Sequence, residues 1–215
     1  MSYICLAANR NGVAVSGDSR LTMEPKMLRL HTDRVQKVFS DPDQGMVWAC
    51  CGLTLYLGIN FFRRTEHILR QSHRSLGSRL GQISTLLCRA TKLQHMVTRR
   101  TSTFTLLVGC LVNGEVQVHR LDVTNGEAAT KKYPAPVFLQ AGWVPSLHQK
   151  RPAMSDITEL TLDQLVTLTR QRCMWAMRRD KQLSQENRKH LQTIGGNVRV
   201  ASLSTKEDNE WSTPL

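Results

Sequence analysis

Long apolar runs are missing from this sequence, and aromatic residues are few. Phe, Trp and Tyr make up 6% of the 215 residues, and no stretch approaches the ~18 uncharged apolar residues of a membrane-spanning helix. The first residues also lack the charged flank and apolar core of a secretory signal. The expected protein is therefore soluble and cytoplasmic. Metal-type cysteine spacing is missing too: Cys5, Cys50, Cys51, Cys88, Cys110 and Cys173 include no C-x-x-C motif, and the seven histidines are scattered. Zinc sites need such clusters, so the cysteines read as reduced core residues, and neither a metal nor an organic cofactor is expected. Acids are scarce beside bases, 17 against 29, for a formal charge of +12. A charge of that size is weighed as a nucleic-acid signal. Yet Arg63-Arg64, Arg99-Arg100, Lys131-Lys132, Lys150-Arg151 and Arg178-Arg179 fall on different elements. They also lack the interleaved aromatics of a single-strand-binding groove. A solvated basic surface is the better reading, with a basic nucleic-acid-binding module as a rival.

The sequence does hold strong turn and periodicity signals. Asn11-Gly12, Asn113-Gly114 and Asn125-Gly126 can each supply the positive φ angles of a tight hairpin. The first joins strands at 3–8 and 13–18. The second joins 103–112 to the alternating 115–121, and the third leads from 121–123 into 128–132. A further strand pair, 36–40 and 46–51, flanks the turn-rich 41–45. Leu76, Leu80, Ile83, Leu87 and Ala90 mark one face of an amphipathic helix, and Leu53, Leu57, Phe61 and Ile68 predict a more buried helix over 53–71. A third helix is predicted from Thr161, whose pairing with Gln164 forms a capping box, to Asp180. Residues 141–156 read as a connection, and 197–203 as a final strand. Hairpins and blocks of helices together predict an α+β fold of stacked antiparallel sheets covered by helical layers. Residues 1–215 are expected to form one domain, with 204–215 a loosely held polar tail.

Two features at the start of the chain carry chemistry. Removal of Met1, usual when the second residue is small, would give Ser2 both a hydroxyl nucleophile and an α-amine base. Such an amine titrates at about 7.7–8.0, close enough to neutrality to accept a proton. The first hairpin should also place Asp18 beside the start of the first strand. A carboxylate there can hold a cation next to Ser2, and Lys37 is the candidate. Both features also have ordinary readings, a common Met-Ser start and a plain salt bridge.

The stretch ICLAANRNGVAVSGDSRLT resembles the opening of proteasome β-subunits and their bacterial relatives, the HslV peptidase and the Anbu and betaproteobacterial homologues. The resemblance implies a four-layer αββα sandwich, the N-terminal-nucleophile hydrolase fold. It assigns the nucleophile to Ser2, its acidic partner to Asp18, the family arginine to Arg20 and substrate-backbone binding to Thr22. QKV selects Lys37 as the family lysine, with Arg34 the competing choice. WACCGLT resembles the turn whose amides form the oxyanion hole, which maps to Cys51 and Gly52. MRRDKQ assigns Asp180 to support of the amine, while Leu21 and Val35 fall at substrate-pocket positions. Two departures stand out: Ala141 replaces a usual serine, and Ile194, beside Thr193, replaces another. The implied protein is a peptidase with a serine in the threonine-type role. It would work on peptide or unfolded protein inside homo-oligomeric rings, with an ATPase unfoldase as a candidate partner, and without cofactor, membrane or nucleic acid. Rivals are an inactive ring subunit and a non-peptide amidase on the same scaffold.

Overall fold

The computed structural model describes residues 2–23, 30–142, 152–186 and 194–205. In chain order the elements are β1 (Tyr3–Asn9), β2 (Gly12–Asp18), β3 (Leu21–Met23), β4 (Leu30–Thr32), β5 (Val38–Asp41), β6 (Met46–Gly52), β7 (Leu55–Tyr56) and β8 (Ile59–Asn60). Then follow α1 (Phe61–Leu69), α2 (Leu76–Thr98), β9 (Thr103–Val112), β10 (Glu115–Thr124), β11 (Glu127–Pro134), β12 (Val137–Gly142), α3 (Met154–Thr158), α4 (Leu162–Glu186) and β13 (Val198–Ser204). Two antiparallel sheets form the centre, one ordered β12-β1-β2-β13 and the other β11-β10-β9-β6-β5.

Three apolar layers hold the stack together. Phe39, Trp48, Phe61, Phe62, Leu80, Ile83, Leu87, Phe104 and Leu106 join the five-stranded sheet to α1 and α2. Ile4, Leu6, Val13, Val15, Val47, Leu107 and Val118 fill the space between the sheets. Tyr3, Cys5, Ala14, Phe138, Ile157, Leu165 and Cys173 join the four-stranded sheet to α3 and α4. Every residue of β1 and β2 is buried, as expected of central strands covered on both faces. β10 alternates, whereas β11 is an edge strand, largely exposed, whose Lys131 and Lys132 discourage further pairing. This is the antiparallel, helix-covered α+β sandwich that the patterning predicts.

Several boundaries differ from expectation. The helix predicted over 53–71 begins only at Phe61, because the Asn60 side chain caps it by accepting from Arg63 N. Ahead of it, β7 and β8 form a small hairpin turned by Leu57 and Gly58 at positive φ. Of the residues that predicted the helix, Leu53, Phe61 and Ile68 are buried but Leu57 is exposed at the hairpin turn, and Leu55, Leu57 and Ile59 follow the period-two spacing of a strand pair. Asn113-Gly114 and Asn125-Gly126 adopt the expected positive φ, but the first hairpin turns through Arg10 and Asn11, with Asn9 opposite Gly12. Gly12 serves a different need: a Cβ there would lie 2.2 Å from the Leu203 carbonyl oxygen. The expected connection 141–156 starts later, since Ala141 and Gly142 belong to β12, and it contains α3. The Thr161–Gln164 capping box forms as predicted, with Thr161 N donating to Gln164 Oε1 at 2.8 Å and Gln164 N to Thr161 Oγ1 at 3.3 Å. Ser204 closes β13, and residues 206–215 of the predicted tail lie outside the described residues. Among the described residues no helix is long and apolar enough to cross a membrane.

Candidate active site

The register of the first hairpin sets the site. Ile4 pairs with Gly17, which brings the start of β1 alongside the end of β2. Tyr3 N then donates to Asp18 Oδ1 at 2.8 Å, and Lys37 Nζ donates to the same oxygen at 2.9 Å. Arg20 N and Gly195 N donate to Asp18 Oδ2 at 3.1 and 3.3 Å. Lys37 Nζ also donates to the Arg20 carbonyl. Both members of the ion pair have fully buried side chains. Burying two charges is costly unless their remaining hydrogen-bonding capacity is used, and here four donors saturate the carboxylate. Burial pushes the Lys37 ammonium below the ordinary lysine range, while Asp18 pulls in the opposite direction.

Ser2 is 5% exposed at the head of this strand. Ile4, Leu6 and Ala8 all face the space between the sheets. Continuing that alternation by one residue aims the Ser2 side chain into the same space. Cys51 enters it from the opposite sheet, its thiol pushed up to about 12 by burial despite the nearby Lys37 charge. The backbone at 50–52 then separates two roles. Cys50 N donates to the Lys37 carbonyl at 2.9 Å, so strand alternation turns the Cys51 amide towards Thr105 of β9 and the Gly52 amide back to the Lys37 side. Gly52 sits at φ +102°, and a Cβ there would meet the Thr103 carbonyl oxygen at 2.2 Å. Only glycine fits this turn without strain.

The other sequence candidates are placed less uniformly. Lys37, not Arg34, meets Asp18; Arg34 is exposed, and its amide reaches Thr32 Oγ1 at 3.4 Å. Asp180 is buried under the turn that precedes β13, accepting from Ile194 N at 2.7 Å. Val35 is half-buried and packs against the helix-side core, with its amide on the Ser19 carbonyl at 3.0 Å. Leu21 and Thr22 lie in β3 opposite Thr32 and His31, and their side chains fall outside the described residues, as does Thr193. Ala141 is buried opposite Ile4. Sequence reasoning missed Ser19 and Asp33. Ser19 Oγ donates to the Asp33 carbonyl at 2.5 Å and accepts from Asn197 N at 2.8 Å. Asp33 takes both arms of the Arg20 guanidinium, at 2.6 and 2.9 Å. The glycine pair Gly195-Gly196 was the available signal: a Cβ at Gly195 would lie 2.6 Å from Arg20 Cζ and one at Gly196 2.3 Å from Ser19 Oγ, and Gly196 also sits at φ +76°.

The paired basic residues stay dispersed: Arg63-Arg64 on α1, Lys131-Lys132 on β11 and Arg178-Arg179 on α4.

No protein-family model and no curated protein matches the sequence. Among solved structures, the chain is similar to Anbu (ancestral beta-subunit) from Yersinia bercovieri, with a TM-score of 0.50 and 16% identity, over 97% of this chain and 85% of that one. It is likewise similar to an Anbu (Gly-1) mutant from Hyphomicrobium sp. strain MC1, with a TM-score of 0.51 and 11% identity, over 98% and 89% of the two chains. At these identities the likeness is one of fold, an arrangement of antiparallel sheets and helices shared with both structures.

Proposed function

We propose that this chain is a proteasome-like peptidase subunit whose nucleophile is Ser2, exposed as the N-terminal residue by removal of Met1. The observation that carries the reading is the single Asp18 oxygen that accepts from both Tyr3 N and Lys37 Nζ. It ties the head of β1 to a buried cation. In the proposed reaction the Ser2 amine takes the hydroxyl proton, directly or through one water, as Oγ attacks the substrate carbonyl. The Lys37 charge disfavours protonation of that amine beforehand, which keeps it available as a base. The amide of Gly52 stabilises the oxyanion, and of the two mapped amides it is the one directed to this side. The amine then protonates the leaving nitrogen, and water hydrolyses the resulting Ser2 ester. Serine lacks the methyl that restricts threonine rotamers, so turnover slower than that of a threonine enzyme is expected.

By the same reading the subunits assemble into rings that enclose the sites and act on peptide or unfolded protein. Asp180 supports the amine indirectly, through the backbone at Ile194, while Leu21, Thr22 and Val35 line the substrate path. The test combines intact mass with an electrophilic peptide probe. The expected result is loss of Met1 and one adduct on Ser2, absent from Ser2→Ala. Retained Met1, or unchanged labelling of Ser2→Ala, overturns the assignment.

A second reading, a subunit that keeps the fold without the chemistry, is favoured by Ala141. This buried residue offers no hydroxyl beside Ile4. Retained Met1 with intact assembly is its signature.

A further inference from the structure

Three segments converge on Arg20: the end of β2, residues 33–37 leading into β5, and the turn at 194–197. The Arg20 guanidinium holds Asp33 in a fork, Nε to Oδ1 at 2.6 Å and Nη2 to Oδ2 at 2.9 Å. The Arg20 amide is shared between Asp18 Oδ2 at 3.1 Å and the Gly195 carbonyl at 3.0 Å. Gly195 packs flat on the guanidinium, and a Cβ there would lie 2.6 Å from Arg20 Cζ. Ser19 closes the ring of contacts through the Asp33 carbonyl and Asn197 N. The Arg20 carbonyl in turn receives Lys37 Nζ.

We propose that Arg20 and Asp33 form a positioning clamp that fixes the Arg20 carbonyl and thereby the Lys37 ammonium. The inference rests on the function proposed above, but not on its chemistry alone. Lys37 is only four residues beyond Asp33, so the fork sets both the carbonyl acceptor and the start of the segment that delivers the lysine. A planar bidentate pair suits this task because it restricts orientation as well as distance. Its side chains are 15% and 40% exposed, so the pair lies at the rim, where solvent screens its own attraction. Its consequence is geometric. The charged and titratable groups facing Lys37 are Asp18 from β2, Cys51 from β6 and Cys173 from α4. Those facing Arg20 are Asp33, Asp18 and Asp180.

The test is an NMR titration of Lys37 in protein carrying labelled lysine side chains, compared among wild type, Asp33→Asn and Arg20→Lys. Arg20→Lys keeps the charge and loses the fork, so it separates geometry from field. The carbonyl acceptor favours the charged lysine, and its displacement lowers the titration midpoint. Both variants are expected to lower it by about half a pH unit or more. They should also cut kcat on a peptide substrate about tenfold while KM stays within about twofold. Midpoints equal to wild type in both variants overturn the clamp, even if both melt earlier. A shift in Asp33→Asn alone also overturns it, since charge without geometry would then suffice. Shifted midpoints in a protein whose Ser2 is never labelled retain the clamp and sink only the peptidase reading. If Asp33→Asn does not fold, the Arg20→Lys midpoint decides.

Discussion

The two ends of the first hairpin both bury polar groups, by opposite means. At the turn, Asn9 is fully buried and neutral: its Nδ2 donates to the carbonyls of Ile157 and Leu160, each at 2.7 Å, and its Oδ1 accepts from Asn11 N at 2.8 Å. At the open end, Asp18 and Lys37 are buried as ions, with the carboxylate saturated by four donors. An amide can be satisfied once and left as a staple between β1 and the connection into α4. An ion pair costs more to bury and keeps a field, and that field falls on the residue at the head of β1. The hairpin therefore has a neutral end and a charged end, with burial common to both.

Substitutions can break this contrast. Asp18→Asn preserves shape but leaves the Lys37 ammonium buried without its partner, an expected loss of about 3–5 kcal/mol. Urea unfolding measures it, and a loss below about 1 kcal/mol would mean that the pair is not buried as described. Asn9→Ala takes one donor from each of two carbonyls, which keep Leu160 N and Asn11 Nδ2, and takes the side-chain acceptor from Asn11 N, an expected cost of about 1–2 kcal/mol. Probe labelling of the folded fraction should be unaffected, and a variant that folds but cannot be labelled would erase the distinction between the ends. Ser2→Ala sharpens it from the other side: stability within about 0.5 kcal/mol of wild type, with hydrolysis abolished. The smallest effect belongs to Glu159→Gln. Its ion pair with Arg10 is about 70% exposed on both sides, and melting should show a change of no more than about 0.5 kcal/mol.

Local pattern made some of this site legible and hid the rest. The Asp18 position follows from strand lengths on either side of a short turn, and Lys37 from a charged residue ahead of an apolar strand, so both were readable. The preference for Lys37 over Arg34 rested on the apolar Val38-Phe39 that continues a strand after it, whereas the depth of its burial against Asp18 left no local signal. Asp33 was invisible for a related reason: a fork to Arg20 across 13 residues leaves no periodicity. β12 was partly misread as connection since its partner, β1, is more than 130 residues away. The hairpin at 55–60 was misread because Leu53 and Leu57 stand at helical spacing ahead of Phe61, although Leu57 is exposed at the turn.

Taken by itself, the sequence determined the antiparallel sheets, the helical layers and the residues heading the first hairpin. These depend on contacts between near neighbours, which leave period-two, period-3.6 and turn signatures. Only the tertiary structure decided that Lys37 and Asp18 are buried as a pair, which of the Cys51 and Gly52 amides faces the Lys37 side of the strand, and that Asp33 forks Arg20. Those are meetings of distant segments, whose free energy depends on desolvation and exact approach instead of on residue order.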